Sequence, residues 1–172
     1  MKLNTHFFSQ LLKQASKSER KRAHQNLHVS FNDPTQRLCI ALIKGTYVRP
    51  HQHVGPNRWE LILVLKGAVG LVIFDDDGMI IDKDTLTPGD SISGLELKPN
   101  TWHTVYPVSD EAIIIEIKEG PYNPETAANF ATWAPMETDS SAKDLLYWVE
   151  RAKVGDRYLK KGGSKPESSF PQ

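Results

Sequence analysis

The chain has 172 residues, and its 21 basic and 21 acidic side chains give a formal net charge of zero at pH 7. This length predicts one domain with additions at its ends. The balanced charge gives no electrostatic reason to expect nucleic acid or an anionic membrane surface as a partner.

The N-terminal segment MKLNTHFFSQLLKQ lacks the continuous apolar stretch of a signal peptide, and no segment of the sequence is apolar for long enough to cross a bilayer. The one cysteine, Cys39, excludes an internal disulfide and lies in the apolar run LCIAL. This setting is typical of a buried structural thiol in a reducing compartment. We therefore predict a soluble cytoplasmic protein.

Near the N-terminus, apolar residues recur at helical spacing from Phe7 to Ala15, and Asn4 can cap the start. The pattern predicts an amphipathic helix over about 5–22 whose apolar face covers the domain that follows. The basic run KSERKR at 17–22 is interpreted as a solvated helix face. Surface positions are also expected for His6, His24 and His28, although the last two would line a site if the N-terminal segment folded over it.

From residue 36 onward the pattern changes to short apolar segments separated by turn residues, which is typical of strands. The predicted strands cover 36–43, 44–48, 59–65, 68–74, 79–82, 91–97, 102–108 and 112–118. Many short strands at near-regular spacing predict an all-β sandwich or barrel.

The strand pattern ends at the sequence GPYNP, residues 120–124. A short helix is predicted over about 142–152, and the tail from residue 160 is polar and rich in Gly, Ser and Pro, a composition typical of flexible segments. We therefore divide the chain into an N-terminal helical segment (1–30), a barrel (31–120), a C-terminal extension (121–159) and a polar tail (160–172).

Three histidines and one glutamate are the strongest functional signal. His51 and His53 lie one residue apart, so on a strand they point to one side, and Glu60 follows on a predicted strand whose alternation gives it the same face as Ile62. His103 lies on a later strand. If the strands close into a barrel, these residues can converge in its interior. Three imidazoles and a carboxylate are a ligand set for one divalent transition metal ion, with Zn, Fe, Mn, Ni and Cu as candidates.

Tyr47 and Arg49 share strand parity with the two neighbouring histidines, so we expect them to face the same cavity as substrate-binding residues, unless Pro50 changes the parity. A guanidinium and a phenol suit the carboxylate or phosphate of a sugar acid or sugar nucleotide. The alternative is a structural pairing of Arg49 with Glu96 or Glu116. No catalytic residue is assigned.

The segment from Gly45 to His53, with Glu60 and Gly67 after it, resembles the first motif of the cupin superfamily. It departs from that motif in one place, because six residues separate His53 from Glu60 where the motif has fewer. A longer hairpin loop between His53 and Glu60 can absorb the difference.

The second cupin motif is matched more loosely. Aligned on His103, Asn100 stands where the motif has a glycine, and Asn tolerates the left-handed conformation that Gly supplies. Pro99 is shifted by one position, and Pro107 replaces the final Asn of the motif.

Most of the chain resembles the WbuC family of cupin-fold metalloproteins, on the segments NLH at 26–28, YVRPHQH at 47–53, TWHT at 101–104, EGPYNP at 119–124 and FATWAP at 130–135. The resemblance implies a double-stranded β-helix, the cupin jelly-roll barrel, with one metal ion. It also implies a link to O-antigen and other surface polysaccharide clusters.

Two functions from different classes follow from this resemblance. In the first, the protein is a small metalloenzyme, an isomerase, epimerase or oxygenase, that acts on a sugar or sugar-nucleotide intermediate. In the second, it is a non-catalytic cupin that binds metal and ligand to regulate or assist polysaccharide assembly. A homodimer is expected, with the aromatic region 130–133 either at its interface or packed on its own barrel.

Overall fold

The computed structural model describes residues 1–159, and the predicted polar tail at 160–172 lies outside this range. Within the described residues the chain forms two helices and ten strands. In chain order these are α1 (Thr5–Lys17), β1 (Arg22–Asn26), β2 (Thr35–Ile43), β3 (His51–Gln52), β4 (Glu60–Lys66), β5 (Val69–Phe74), β6 (Ile80–Leu86), β7 (Gly94–Leu97), β8 (Trp102–Pro107), β9 (Glu111–Glu119), β10 (Asn129–Phe130) and α2 (Ala142–Arg151).

The strands form two antiparallel sheets of five. The first has the order β1-β2-β9-β4-β7 and the second has the order β10-β3-β8-β5-β6. From β2 to β9 the chain crosses between the sheets at almost every connection, so neighbouring strands within a sheet are distant in sequence. This arrangement is a double-stranded β-helix, and the predicted all-β class with a helix at each end is confirmed.

Alternation along the strands directs one face of each sheet into a shared core. On β4 the buried side chains are those of Glu60, Ile62 and Val64, as the pattern predicted. Ile62 and Val64 belong to an apolar cluster between the sheets, whose other members include Leu42 and Ile114. A carboxylate at the end of this buried row is the first sign of a site between the sheets.

Helix α1 packs on the outer face of the first sheet. Its start is fixed by Asn4, whose side chain accepts a hydrogen bond of 3.0 Å from the backbone N–H of Phe7. Leu11, Leu12 and Ala15 contact a patch on the sheet that contains Cys39, Ala41 and Ile113. The predicted helix is confirmed, as is the buried position of Cys39, whose pKa is raised by burial.

The end of this helix was predicted too late, because α1 stops at Lys17 and the chain then forms a strand. Lys21 adopts a positive φ of 54°, which turns the backbone, and β1 pairs with β2 from Arg22 opposite Leu42 to Asn26 opposite Leu38. The hydrogen bonds that β1 forms with β2 therefore end the helix earlier than local propensity favoured.

Helix α2 matches its predicted position and packs on the second sheet, where Leu146 and Val149 contact Val72 and Phe74. No helix within residues 1–159 is long and apolar enough to span a bilayer. The strand predicted over 44–48 is absent, because a turn with Gly45 at a φ of 87° occupies its place.

Truncation of Leu11, which is 2% exposed, tests whether α1 packs on the first sheet. We expect Leu11→Ala to lower the free energy of unfolding by about 2–5 kcal/mol, since it removes buried methyl groups and leaves a cavity. Urea denaturation followed by circular dichroism measures the change. Lys13→Ala, an exposed position on the same helix, should stay within about 0.5 kcal/mol of the parent, and equal costs for the two variants would contradict the docking.

Candidate metal centre

Four predicted ligand residues converge between the two sheets. His51 on β3 lies directly opposite His103 on β8, His53 follows β3, and Glu60 begins β4 in the facing sheet. One donor atom from each residue lies within 4.8 Å of the others. The rings of His51 and His103 are 4.4 Å apart between centroids, and His53 lies 5.2 Å and 5.6 Å from them. The cluster could hold one metal ion.

Backbone carbonyls fix the orientation of all three rings, because each Nδ1 lies within hydrogen-bond distance of one. When Nδ1–H donates to a carbonyl, the lone pair of the neutral ring is on Nε2, which is the atom that a metal needs. The distances are 2.9 Å from His51 to Arg49, 2.6 Å from His53 to Ala127 and 2.9 Å from His103 to Thr101. The donor set therefore fits a first-row divalent metal in both chemistry and orientation.

Glu60 is the most constrained of the four residues, with a side chain only 2% exposed. Its Oε2 lies 3.2 Å from Nε2 of His53 and 3.1 Å from Nε2 of His103, and its Oε1 accepts a hydrogen bond of 2.9 Å from Lys118. Burial alone would raise the pKa of Glu60, but the Lys118 ammonium and the two histidines hold it well below its usual range. Glu60 is therefore ionised at neutral pH.

The histidines respond to the same surroundings. Burial lowers the pKa of His51 well below its ordinary value, which keeps that ring neutral. Burial also opposes the charge of His53, but its hydrogen bond to Glu60 and the negative charge there raise the pKa of this ring overall. Burial therefore decides the direction at His51, whereas the Glu60 carboxylate decides it at His53.

Lys118 and Glu116 belong to the same network, and the sequence analysis did not identify Lys118 as part of the site. The Lys118 ammonium lies 3.2 Å from the Glu116 carboxylate as well as beside Glu60. Burial disfavours its charge, but these two carboxylates raise its pKa. Burial and the charge of Glu60 raise the pKa of Glu116. The only signal in the sequence was parity, since residues 114, 116 and 118 share the inner face of β9.

A cavity of about 400 Å³ opens beside the cluster and reaches the three histidines, Glu116 and Lys118. Its other wall is the inner face of the first sheet, which is largely apolar at Leu38, Ile40, Leu42 and Ile114. The cavity therefore combines an apolar wall with a polar end at the candidate ligands, as small-molecule sites commonly do.

His24 and His28 both line this cavity, which is the alternative that the sequence left open for them. His24 is nevertheless exposed, as expected of a surface residue, and His28 is half-buried. Because β1 pairs with the edge of the first sheet, the alternate residues Arg22, His24 and Asn26 turn toward the cavity. His28, just beyond the strand, is held there by a backbone contact of its Nδ1 with Arg37. His6 lies on the exposed side of α1, as predicted.

Two arginines from the basic run 17–22 also line the cavity. Arg22 is buried, donates 2.7 Å to the carbonyl of Tyr47 and forms an ion pair with Glu137. Arg20 binds the same carboxylate at 2.7 Å. The interpretation of this run as a solvated helix face is therefore wrong for Arg22, because the strand turns its side chain inward.

Tyr47 and Arg49 are not among the residues that line the cavity. The hydroxyl of Tyr47 donates to the carbonyl of Pro135 at 2.9 Å, and its ring packs with the cluster under α2. The guanidinium of Arg49 donates to the carbonyl of Ala131 at 2.8 Å and lies 5.4 Å from the centre of the Phe130 ring, which does line the cavity.

Tyr47 and Arg49 do not share the orientation of His51 and His53, because β3 begins only at His51. Residues 47–50 therefore do not continue the alternation of that strand. Val48 faces the cavity in their place. Arg49 donates to the backbone carbonyl of Ala131 in the C-terminal extension, so it does not form the alternative pairing with Glu96 or Glu116. Glu116 pairs with Lys118 instead, and Glu96 is exposed on β7.

Asn100 holds the start of the long loop between His53 and Glu60. This residue has a φ of 61°, as its place in the motif predicted, and its N–H donates 3.0 Å to the carbonyl of His53. Its side-chain oxygen accepts a hydrogen bond of 3.3 Å from Gly55. The added loop is therefore anchored at its start, and Glu60 still reaches the histidines.

A protein-family profile described as a domain of unknown function, DUF6016, matches residues 3–86, just under half of the chain. None of the curated proteins compared with the sequence matches it.

Several solved structures share the fold. CapF in complex with the inhibitor 3-isopropenyl-tropolone has a TM-score of 0.54 and 16% identity, over 66% of this chain and 32% of that one. A recombinant oxalate oxidase in complex with glycolate has a TM-score of 0.53 and 17% identity, over 74% of this chain and 64% of that one. The DMSP lyase DddQ from Ruegeria pomeroyi has a TM-score of 0.50 and 20% identity, over 67% of this chain and 54% of that one. At these identities the likeness is one of fold alone.

Metal analysis of protein purified without added metal tests the cluster directly. We expect about one equivalent of a first-row transition metal in the wild type and strong loss in His51→Ala and His103→Ala, because each variant removes a ligand. His6→Ala changes an exposed histidine of α1 and should keep the wild-type content. Equal metal content in all four proteins, measured by elemental analysis, would rule out this site.

Proposed function

We propose that the protein binds one divalent transition metal ion between its two sheets. The ligands are Nε2 of His51, His53 and His103 and a carboxylate oxygen of Glu60. We propose further that it is a small metalloenzyme. The observation that carries the first step is the convergence of four donor atoms within 4.8 Å, with each ring already held through its Nδ1. Zn, Fe, Mn and Ni all suit such a donor set.

A metal ion that takes five or six ligands would have room for a water or a substrate beside these four protein donors. The three histidines line the cavity, so such a ligand would reach the ion from the cavity. When bound, the metal supplies a Lewis acid that can polarise a substrate oxygen or lower the pKa of a bound water. The chain itself supplies a partly apolar cavity beside the ligand residues.

For the substrate, we propose a small hydroxylated molecule with an anionic group, as in a sugar acid or the sugar part of a sugar nucleotide. The support is the charge around the cavity, where Arg20, Arg22 and Lys118 face Glu116 and Glu137. A bound divalent cation, even after the charge of Glu60 is subtracted, makes this environment positive. A volume of about 400 Å³ lies within the usual range of small-molecule sites. A role in surface polysaccharide biosynthesis rests on the resemblance to WbuC proteins.

The alternative is a cupin that binds metal and ligand without catalysis. Glu116 favours the enzyme, because it is a carboxylate on the cavity wall that lies outside the ligand group and is held by Lys118. It can hold or move a proton at a carboxylate oxygen on the cavity wall.

A homodimer and a cytoplasmic location remain predictions. In the monomer, Trp133 packs on Phe74 with ring centroids 5.0 Å apart, which agrees with packing of the aromatic region on its own barrel.

Water-proton relaxation of the Mn(II)-loaded protein tests whether the metal has open positions. We expect a relaxation enhancement from exchangeable water on the metal, and we expect it to fall when a sugar acid such as galacturonate is added. The neutral sugar galactose is the matched control and should act more weakly because it lacks the carboxylate. Absence of exchangeable water would contradict the open position and favour the non-catalytic alternative.

Glu116→Gln tests the proton-transfer role. Turnover of a panel of sugar acids and sugar nucleotides is followed by NMR. On a substrate found in this way, we expect kcat to fall by about 10²–10⁴-fold while metal content is unchanged. Glu96→Gln changes an exposed carboxylate on β7 and should leave kcat unchanged. Full activity of Glu116→Gln would remove Glu116 from the mechanism.

A further inference from the structure

Lys118 contacts a candidate ligand residue through its side chain without belonging to the ligand group. In the first sheet, β9 and β4 place Lys118 directly opposite Glu60. The Lys118 ammonium lies 2.9 Å from Oε1 of Glu60, and its side chain is only 20% exposed. The other carboxylate oxygen, Oε2, lies 3.1 Å and 3.2 Å from Nε2 of His103 and His53. The two oxygens of one carboxylate are therefore committed to different partners.

We propose that Lys118 is a positioning residue that makes Glu60 a ligand through one oxygen only. A free carboxylate can bind a divalent metal through one or both oxygens. Lys118 holds Oε1 on the side away from the histidines, so that Oε2 alone is available to the metal. Because a second bond from Glu60 would occupy another position on the metal, Lys118 keeps that position open for substrate.

The surroundings of Lys118 suit this role. A buried ammonium is costly unless its charge is paired, and Glu116 provides a second carboxylate at 3.2 Å. Both strands belong to the centre of the first sheet, so the relative positions of Lys118 and Glu60 are set by the ladder between β4 and β9. The inference rests on the proposed metal site, and it adds to that site a residue that is not a ligand.

A positioning role and a simple charge effect of Lys118 predict opposite changes in metal affinity when Lys118 is removed. If Lys118 were only a nearby positive charge, its removal would strengthen the binding of a cation. If it orients Glu60, its removal weakens binding, and loss of partners that orient metal ligands typically costs about 10–100-fold in affinity. The effect should also require Glu60 to be present.

The experiment measures the dissociation constant for Zn(II), by competition with a chromophoric chelator, in a set of variants that all carry Glu116→Gln. This background prevents removal of Lys118 from leaving the Glu116 charge unpaired. We expect addition of Lys118→Met to weaken Zn(II) binding by about 10–100-fold when Glu60 is present. In Glu60→Ala, the same substitution should not weaken binding further, because no carboxylate remains to be oriented.

Lys66→Met is the matched control, because Lys66 pairs with Glu111 at 2.8 Å across the same two strands but is 46% exposed. It should leave the dissociation constant unchanged. Urea unfolding of each variant without metal shows whether the fold is retained, and visible absorption of the Co(II) forms should change in Lys118→Met and not in Lys66→Met.

Unchanged or tighter binding in Lys118→Met overturns the positioning role, as does equal weakening in the presence and absence of Glu60. If Glu60→Ala weakens Zn(II) binding and Lys118→Met does not, the metal site stands and only this inference fails. If the wild type binds no Zn(II), the proposed function and this inference fail together.

Discussion

The carboxylate of Glu60 is surrounded by two imidazoles and an ammonium, all within 3.2 Å, and its side chain is 2% exposed. An isolated charge at this depth would cost several kcal/mol, so the charge requires these partners. They come from different parts of the chain, since His53 follows β3, His103 lies on β8 and Lys118 lies on β9. The two sheets must therefore meet in one register, and any slip by one residue would turn the partners away.

The network has a polar and an apolar side. On the polar side, Glu60 contacts two histidine rings that backbone carbonyls hold in place through Nδ1. On the apolar side, Glu60 continues the buried row of Ile62 and Val64 on β4. A metal ion would replace the contacts of Oε2 with the two rings and leave the contact of Oε1 with Lys118 in place. The contacts that stabilise the Glu60 carboxylate without a metal would thus also orient it toward a bound ion.

The N-terminal segment completes the site as well as covering the sheet. Helix α1 packs outside the first sheet, and β1 extends that sheet so that Arg22, His24 and Asn26 line the cavity. Glu137 in the C-terminal extension binds Arg20 and Arg22, and Ala127 accepts the hydrogen bond of His53. Segments at both ends of the barrel therefore contribute to one cavity, and additions to the conserved core of a fold can determine what it binds.

The sequence by itself determined the all-β class, both helices, the inward face of β4 and the set of candidate ligands, because alternation and helical spacing are local properties of the chain. Only the tertiary structure decided three other features. It showed that residues 22–26 form an edge strand, that Lys118 contacts Glu60, and that Tyr47 and Arg49 lie outside the cavity. These depend on pairing between distant segments and on where a short strand begins at His51, and local pattern carries no information about either.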